Sequence, residues 1–294
     1  MLLSCAKWIA QKHAMLFVVC QLFAAGTATA QGYYTGVPYS ALNDEKRLWQ
    51  SIMEEFYGPY DRAMKCWVKP FIDPKGVKRP YCMRWLKLDR LPGYPNERLL
   101  VVTGGFPIDW KCERGHCDDH PSRGAMGLII LDATKPSMTL VARNSLIEPA
   151  DTYGRVPDET NVDVRQLNAN GTFGWTVEFD QRHGDRWYTY KIVYGPIGDR
   201  IVELANVVNK MEIHNCNDEN EPEKTIEAEQ YSGKYEWNIL FEMQYHGKKW
   251  YPLIIHQTGM KKYKYISNTY RFEFNSRIQT YEIPEAFPKE MNDD

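Results

Sequence analysis

The stretch Asn170–Pro196 reads NGTFGWTVEFDQRHGDRWYTYKIVYGP. Trp175, Val177 and Phe179 recur at every second residue, with Thr176, Glu178 and Asp180 between them. Tyr188, Tyr190, Ile192 and Tyr194 repeat the pattern. A period of two marks a strand with one buried face, because successive side chains leave a strand on opposite sides. Asn170-Gly171 is a hairpin-turn dipeptide, Gly184-Asp185 marks a second turn, and Pro196 with Gly198 ends the run. Strands joined by links this short run antiparallel.

The pattern continues outward. Leu99–Val102 and Met126–Leu131 are unbroken apolar runs, as expected of central strands buried on both faces. Met138, Leu140 and Ala142 alternate, as do Val162 and Val164, and Ile201–Val208 reads as a further strand. Tyr235, Trp237, Ile239, Phe241, Met243 and Tyr245 form the longest alternating set, and His246-Gly247-Lys248 turns it into Trp250–His256. Tyr263 and Tyr265 differ in phase from Tyr270, Phe272 and Phe274, which predicts a bulge near Ser267-Asn268. Ahead of the strands, Leu48, Ile52, Met53 and Phe56 predict a helix, with Ser40 or Asn43 as its cap and Gly58-Pro59 as its stop. A short helical turn is expected over Asp61–Trp67, then a basic, Pro-rich loop, KPFIDPKGVKRP, between Cys66 and Cys82. There is no βαβ alternation and no repeat with a fixed motif. The fold class is therefore mainly β: an antiparallel sandwich, open barrel or partial propeller-like sheet with one N-terminal helix.

Residues 1–13 carry Lys7, Lys12 and His13 and no acid; Ala14–Ala25 is apolar; Ala28-Thr29-Ala30 follows. That order predicts a signal peptide over 1–30, and the apolar run is shorter than the roughly 20 residues a spanning helix needs. The expected location is the periplasm or outside the cell, with no stable membrane anchor after cleavage. Residues 31–95 then form a helical, disulfide-pinned segment, 96–284 an antiparallel β domain and 285–294 a flexible tail. Cleavage removes two lysines and no acid, leaving a chain of 264 residues with a formal charge of −4. Such a balance speaks against a nucleic-acid partner.

Five cysteines remain after residue 30, and an oxidising compartment makes them disulfide candidates. Nearest neighbours pair as Cys66–Cys82 and Cys112–Cys117, leaving Cys216 unpaired. Lys111–His120 reads KCERGHCDDH. Cys112, His116, Cys117 and His120 have the right types for zinc. Two adjacent ligands and the missing dozen-residue spacer favour a short disulfide hairpin instead, displaying His116, Asp118, Asp119 and His120 as a partner-contact loop. The acidic stretch Asp218–Glu221 offers oxygens to Ca²⁺ but lacks the calcium-loop pattern. No cofactor is therefore assigned, with zinc and Ca²⁺ as the minority alternatives. Nucleophile-elbow, H-E-x-x-H, Walker and G-x-G-x-x-G patterns are absent, and no catalytic residue is assigned. These features together lead to an exported, non-catalytic protein that binds another protein, specifically a periplasmic inhibitor or immunity protein blocking a toxic hydrolase. A carbohydrate or cell-wall binding module is one alternative, and a hydrolase with no recognisable motif is another.

Overall fold

The computed structural model describes residues 33–72, 78–93, 96–108, 124–147, 159–183, 186–213, 235–241, 249–261 and 264–287. Along the chain these form β1 (Tyr33–Pro38), a 3-10 turn (Tyr39–Asn43), α1 (Glu45–Tyr57), β2 (Tyr60–Asp61), β3 (Cys66–Ile72), β4 (Lys78–Leu91), β5 (Arg98–Pro107), β6 (Ala125–Asp132) and β7 (Ser137–Ile147). After a short 3-10 turn (Glu159–Asn161) come β8 (Val162–Gln166), β9 (Phe173–His183), β10 (Arg186–Ile197), β11 (Arg200–Ile213), β12 (Tyr235–Phe241), β13 (Leu253–Lys261), β14 (Lys264–Phe272), β15 (Phe274–Asn275) and β16 (Thr280–Tyr281). The protein is mainly β, as its alternating pattern requires, with an open sheet rather than a closed barrel.

Fourteen strands share hydrogen bonds in two runs. The first is β2-β3-β4-β5-β6-β7, with β1 also paired to β7; the second is β8-β9-β10-β11-β12-β13-β14. Neighbours within each run are antiparallel, and the runs meet at one parallel pair, Arg200 opposite Arg143. Gly171 (φ 74°) and Gly198 (φ 63°) take the left-handed backbone of their turns. Asn168 locks the first of these, its Oδ1 accepting from the Asn170 and Thr172 amides at 3.0 Å each.

β5 and β6 are buried on both faces. Leu99, Val101, Ile129 and Leu131 point to one core, with Leu48, Ile52, Met53 and Phe56 of α1 and Val37 of β1. Leu100, Val102, Leu128 and Ile130 point to the other, with Val162, Trp175, Val177, Phe179, Ile192 and Tyr194 of β8–β10. A third core joins Leu167, Val193, Leu204 and Val207 to Leu253, Ile255 and Phe272. The layers are thus helix, first run, second run, which is a sandwich with an added cover.

Several local expectations change. The α1 cap is Asp44, whose carboxylate accepts from the Arg47 amide at 3.1 Å; Ser40 and Asn43 are wound into the preceding 3-10 turn. Asp61–Trp67 is not helical, because Tyr60 and Asp61 pair with Trp67 and Cys66 as a tight hairpin. Both ends of the Pro-rich segment are strand: Lys69–Ile72 lies in β3 and Lys78–Pro80 in β4, with Pro70 opposite Pro80, and residues 73–77 lie outside the described residues. Two prolines can face each other where neither must donate across the ladder. β14 keeps an unbroken register with β13, so there is no bulge at Ser267-Asn268. Tyr265 simply lies on the exposed side of the strand. A real bulge sits at Val141, between Leu131–Leu140 and Ile130–Ala142. It sends Leu140 to the helix-side core and Ala142 to the other, although the sequence puts them in phase. Phe287 is buried edge-on against Tyr270 and Phe272 at 5.1 Å each. The assigned signal peptide, the Gly184-Asp185 and His246–Lys248 turns and residues 288–294 lie outside the described residues.

Tyr57, at the last turn of α1, ties the helix to the sheet. Its hydroxyl meets Thr103 Oγ1 at 2.6 Å and donates to the Ser145 carbonyl at 3.2 Å. Gly127 leaves the space, since a Cβ there would overlap both hydroxyls. Burial raises the Tyr57 phenol above its ordinary value of 10, while the Thr103 hydrogen bond and the Arg143 charge oppose that less strongly. The folded state therefore holds a proton that the unfolded chain loses near pH 10, so stability is full below that pH and falls above it. Tyr57→Phe should cost about 1–2 kcal/mol near neutral pH. It should also flatten the alkaline loss, read as urea midpoints near neutrality and at about pH 11. Gly127→Ala should be more damaging in the wild-type background than in Tyr57→Phe, because one of the two hydroxyls it strikes is gone while that of Thr103 remains.

Candidate binding groove

An open groove of about 840 Å³ lies where α1 leaves the sheet margin. One wall is α1, where Lys46, Gln50 and Glu54 recur at four-residue spacing and so share a face. Gln50 donates to Glu54 Oε1 at 2.8 Å. The opposite wall is the turn between β2 and β3. Asp61 Oδ1 accepts from the Ala63 and Met64 amides at 2.8 and 3.0 Å, which fixes the turn and aligns Arg62 and Lys65 along the groove. Lys65 holds a left-handed φ of 55°. For a residue with a Cβ that conformation costs on the order of 1 kcal/mol, so the surrounding hairpin must impose it.

The floor is aromatic. Tyr60 meets Trp67 edge-on at 4.8 Å, Trp67 meets Trp85 at 5.7 Å, and Trp85 meets Trp49 at 6.1 Å. Trp49 and Trp67 are each 6% exposed, whereas Trp85 is 49% and Tyr60 43% exposed. Trp67 Nε1 is buried and has no hydrogen-bond partner among the described residues. Arg84 also lines the groove, its guanidinium 5.6 Å from the Phe106 ring centre. Lys69 of β3 donates to the Phe56 carbonyl at the end of α1, and burial, with Arg143 adding, pulls its pKa down. That contact ties the end of α1 to β3.

The expected Cys66–Cys82 disulfide is present, with Cα atoms 5.5 Å apart. It runs diagonally across the β3–β4 ladder, in which Cys82 faces Val68. It therefore joins the strand carrying Trp67 to the strand carrying Trp85, instead of pinning a loop. Cys112, His116, Cys117, Asp118, Asp119, His120 and Cys216, together with the acidic stretch Asp218–Glu221, lie outside the described residues. Among the described residues no group of three or more His, Cys, Asp or Glu could hold a metal ion. His256 meets the Thr269 hydroxyl at 2.9 Å. Gly104-Gly105 lies within β5 opposite Arg84 and Met83.

None of the groove residues other than Cys66 and Cys82, which stand behind it, was singled out from sequence. The available signal was the group Tyr60, Trp67 and Trp85 flanking a cysteine pair, with Lys46, Gln50 and Glu54 on the polar side of a helix. Replacing both Cys66 and Cys82 by Ala should cost about 3 kcal/mol, as expected for a closed loop of this length. It should also change the tryptophan emission before global unfolding, because Trp67 and Trp85 lose their fixed spacing. Unchanged emission and a coincident single transition would show that the ladder alone sets the floor.

No protein-family model, curated protein or solved structure matches this chain, so the groove is interpreted from its own chemistry.

Proposed function

We propose that this chain is an exported binding protein that acts by occupying another protein, and that the aromatic groove is its contact surface. The observation that carries this is Trp85, half exposed yet backed by the buried rings of Trp49 and Trp67. An aromatic anchor on a rigid base, inside a rim of charged side chains, is the usual build of an energetic centre in protein–protein contacts. The form we favour is a periplasmic inhibitor or immunity protein that blocks a toxic hydrolase. Its support is the signal-like N-terminus, the mild acidity and the absence of any recognised catalytic motif from the sequence.

A carbohydrate or cell-wall binder is the second reading, favoured by the exposure of Trp85 and Tyr60. It ranks second because neighbouring rings are tilted by 34° to 68° and offer no flat platform for stacked sugars. Affinity capture from an exported protein fraction under non-reducing conditions tests both. Wild type should retain one stoichiometric protein partner. Trp85→Ala should weaken that retention by at least about tenfold, while Tyr265→Ala, on exposed β14, should not. Equal retention by Trp85→Ala would remove the groove from the contact. A sugar-array signal with no protein partner would reject the protein reading.

A further inference from the structure

We infer that the partner segment seated in the groove is acidic, an extended stretch of carboxylate side chains with an apolar or aromatic residue for the Trp85 face. This rests on the groove being the contact surface. Lys46, Arg62, Lys65 and Arg84 line it against a single carboxylate, Glu54, in a chain whose net charge is −2. The positive patch is therefore local and opposes the overall balance. None of these cations has an ion-pair partner among the described residues. Asp61, the nearest acid in the chain to Arg62, has one oxygen committed to backbone amides of its own turn.

The helix itself adds a second, independent sign. Lys46 stands in the first turn of α1, where the helix dipole disfavours a cation, and Glu54 and Glu55 stand in the last turn, where it disfavours an anion. Glu55 has a structural use, accepting from the Gly36 amide at 2.9 Å. Lys46 has none, and the dipole adds its own positive potential to the same end of the groove. A ligand carboxylate there would relieve the conflict. The tilt of the rings, which leaves gaps between planes, suits side-chain knobs of a peptide better than the flat rings of an acidic polysaccharide.

The test is fluorescence-anisotropy titration of the full chain with a labelled synthetic peptide alternating Glu and Phe, its Gln-for-Glu counterpart, and a labelled oligogalacturonate. The acidic peptide should bind, and binding should weaken with added salt. The Gln counterpart should bind at least roughly tenfold more weakly, and Lys46→Glu with Arg62→Glu should weaken the acidic peptide by a similar factor. Lys46→Glu corrects the charge at the helix start, so the variant's melting temperature should hold or rise, which separates lost binding from lost folding. Equal binding of the Gln peptide, unchanged binding by the charge-reversed variant, or binding of the oligogalacturonate alone would each overturn the inference. Failure of the acidic peptide while Trp85-dependent capture succeeds would overturn the acidic ligand and leave the groove as the contact. Charge-dependent peptide binding with capture indifferent to Trp85 would overturn the partner reading alone.

Discussion

Everything in this fold follows from two strands that have no face to give to water. Leu99–Val102 and Leu128–Leu131 are all at most 1% exposed. Each such side chain contributes roughly 1.5–3 kcal/mol when buried, so leaving either face of the β5–β6 pair open would forfeit a large part of the stability of a domain. Both faces must be covered, and a chain with one described helix covers them unequally. The second run of strands supplies a broad lid on one side. A helix of 13 residues, at 1.5 Å rise per residue, is about 20 Å long and spans only part of the other side. Trp67 and Trp85, packed against Trp49 of α1, fill the margin beside the helix, and the groove is what remains of that margin.

The covering problem was legible in the sequence because it is written in local periodicity. Unbroken apolar runs announced strands buried twice, and the Trp175–Phe179 and Tyr188–Tyr194 alternations announced the lid. Local periodicity says less where register intervenes. Met138, Leu140 and Ala142 look like one face, but one extra residue at Val141 moves Ala142 to the other core. The partner strand decides that, and periodicity within β7 carries no information about it. The Pro-rich segment failed for a related reason. Proline counts against a strand only where its missing N–H is needed, and the pairing of Pro70 with Pro80 removes the need.

The groove was illegible because its parts come from places that no window of sequence joins. Helix periodicity placed Lys46, Gln50 and Glu54 on a solvated side, which is their ordinary role. Tyr60, Trp67 and Trp85 converge only once β2, β3 and β4 are in register, behind a disulfide whose pairing was foreseen but whose geometry was not. The hairpin brings Arg62 and Lys65 onto one wall.

The sequence obeys local rules closely in most of this region. Asp44 caps α1, Glu45 occupies its first turn, and Gly58 ends it at a positive φ of 89°. Departures gather at one place: a cation at the wrong end of the helix, a left-handed lysine, a half-exposed tryptophan and a buried indole N–H without an acceptor among the described residues. Each is a small penalty, on the order of 0.3–2 kcal/mol, and each alone is unremarkable in a folded protein. Together they line a single cavity, and none improves the packing of the cores behind it. Local conflicts that fall in one place without a gain in stability mark where a fold has been shaped for something outside itself. Among the described residues that place is the groove.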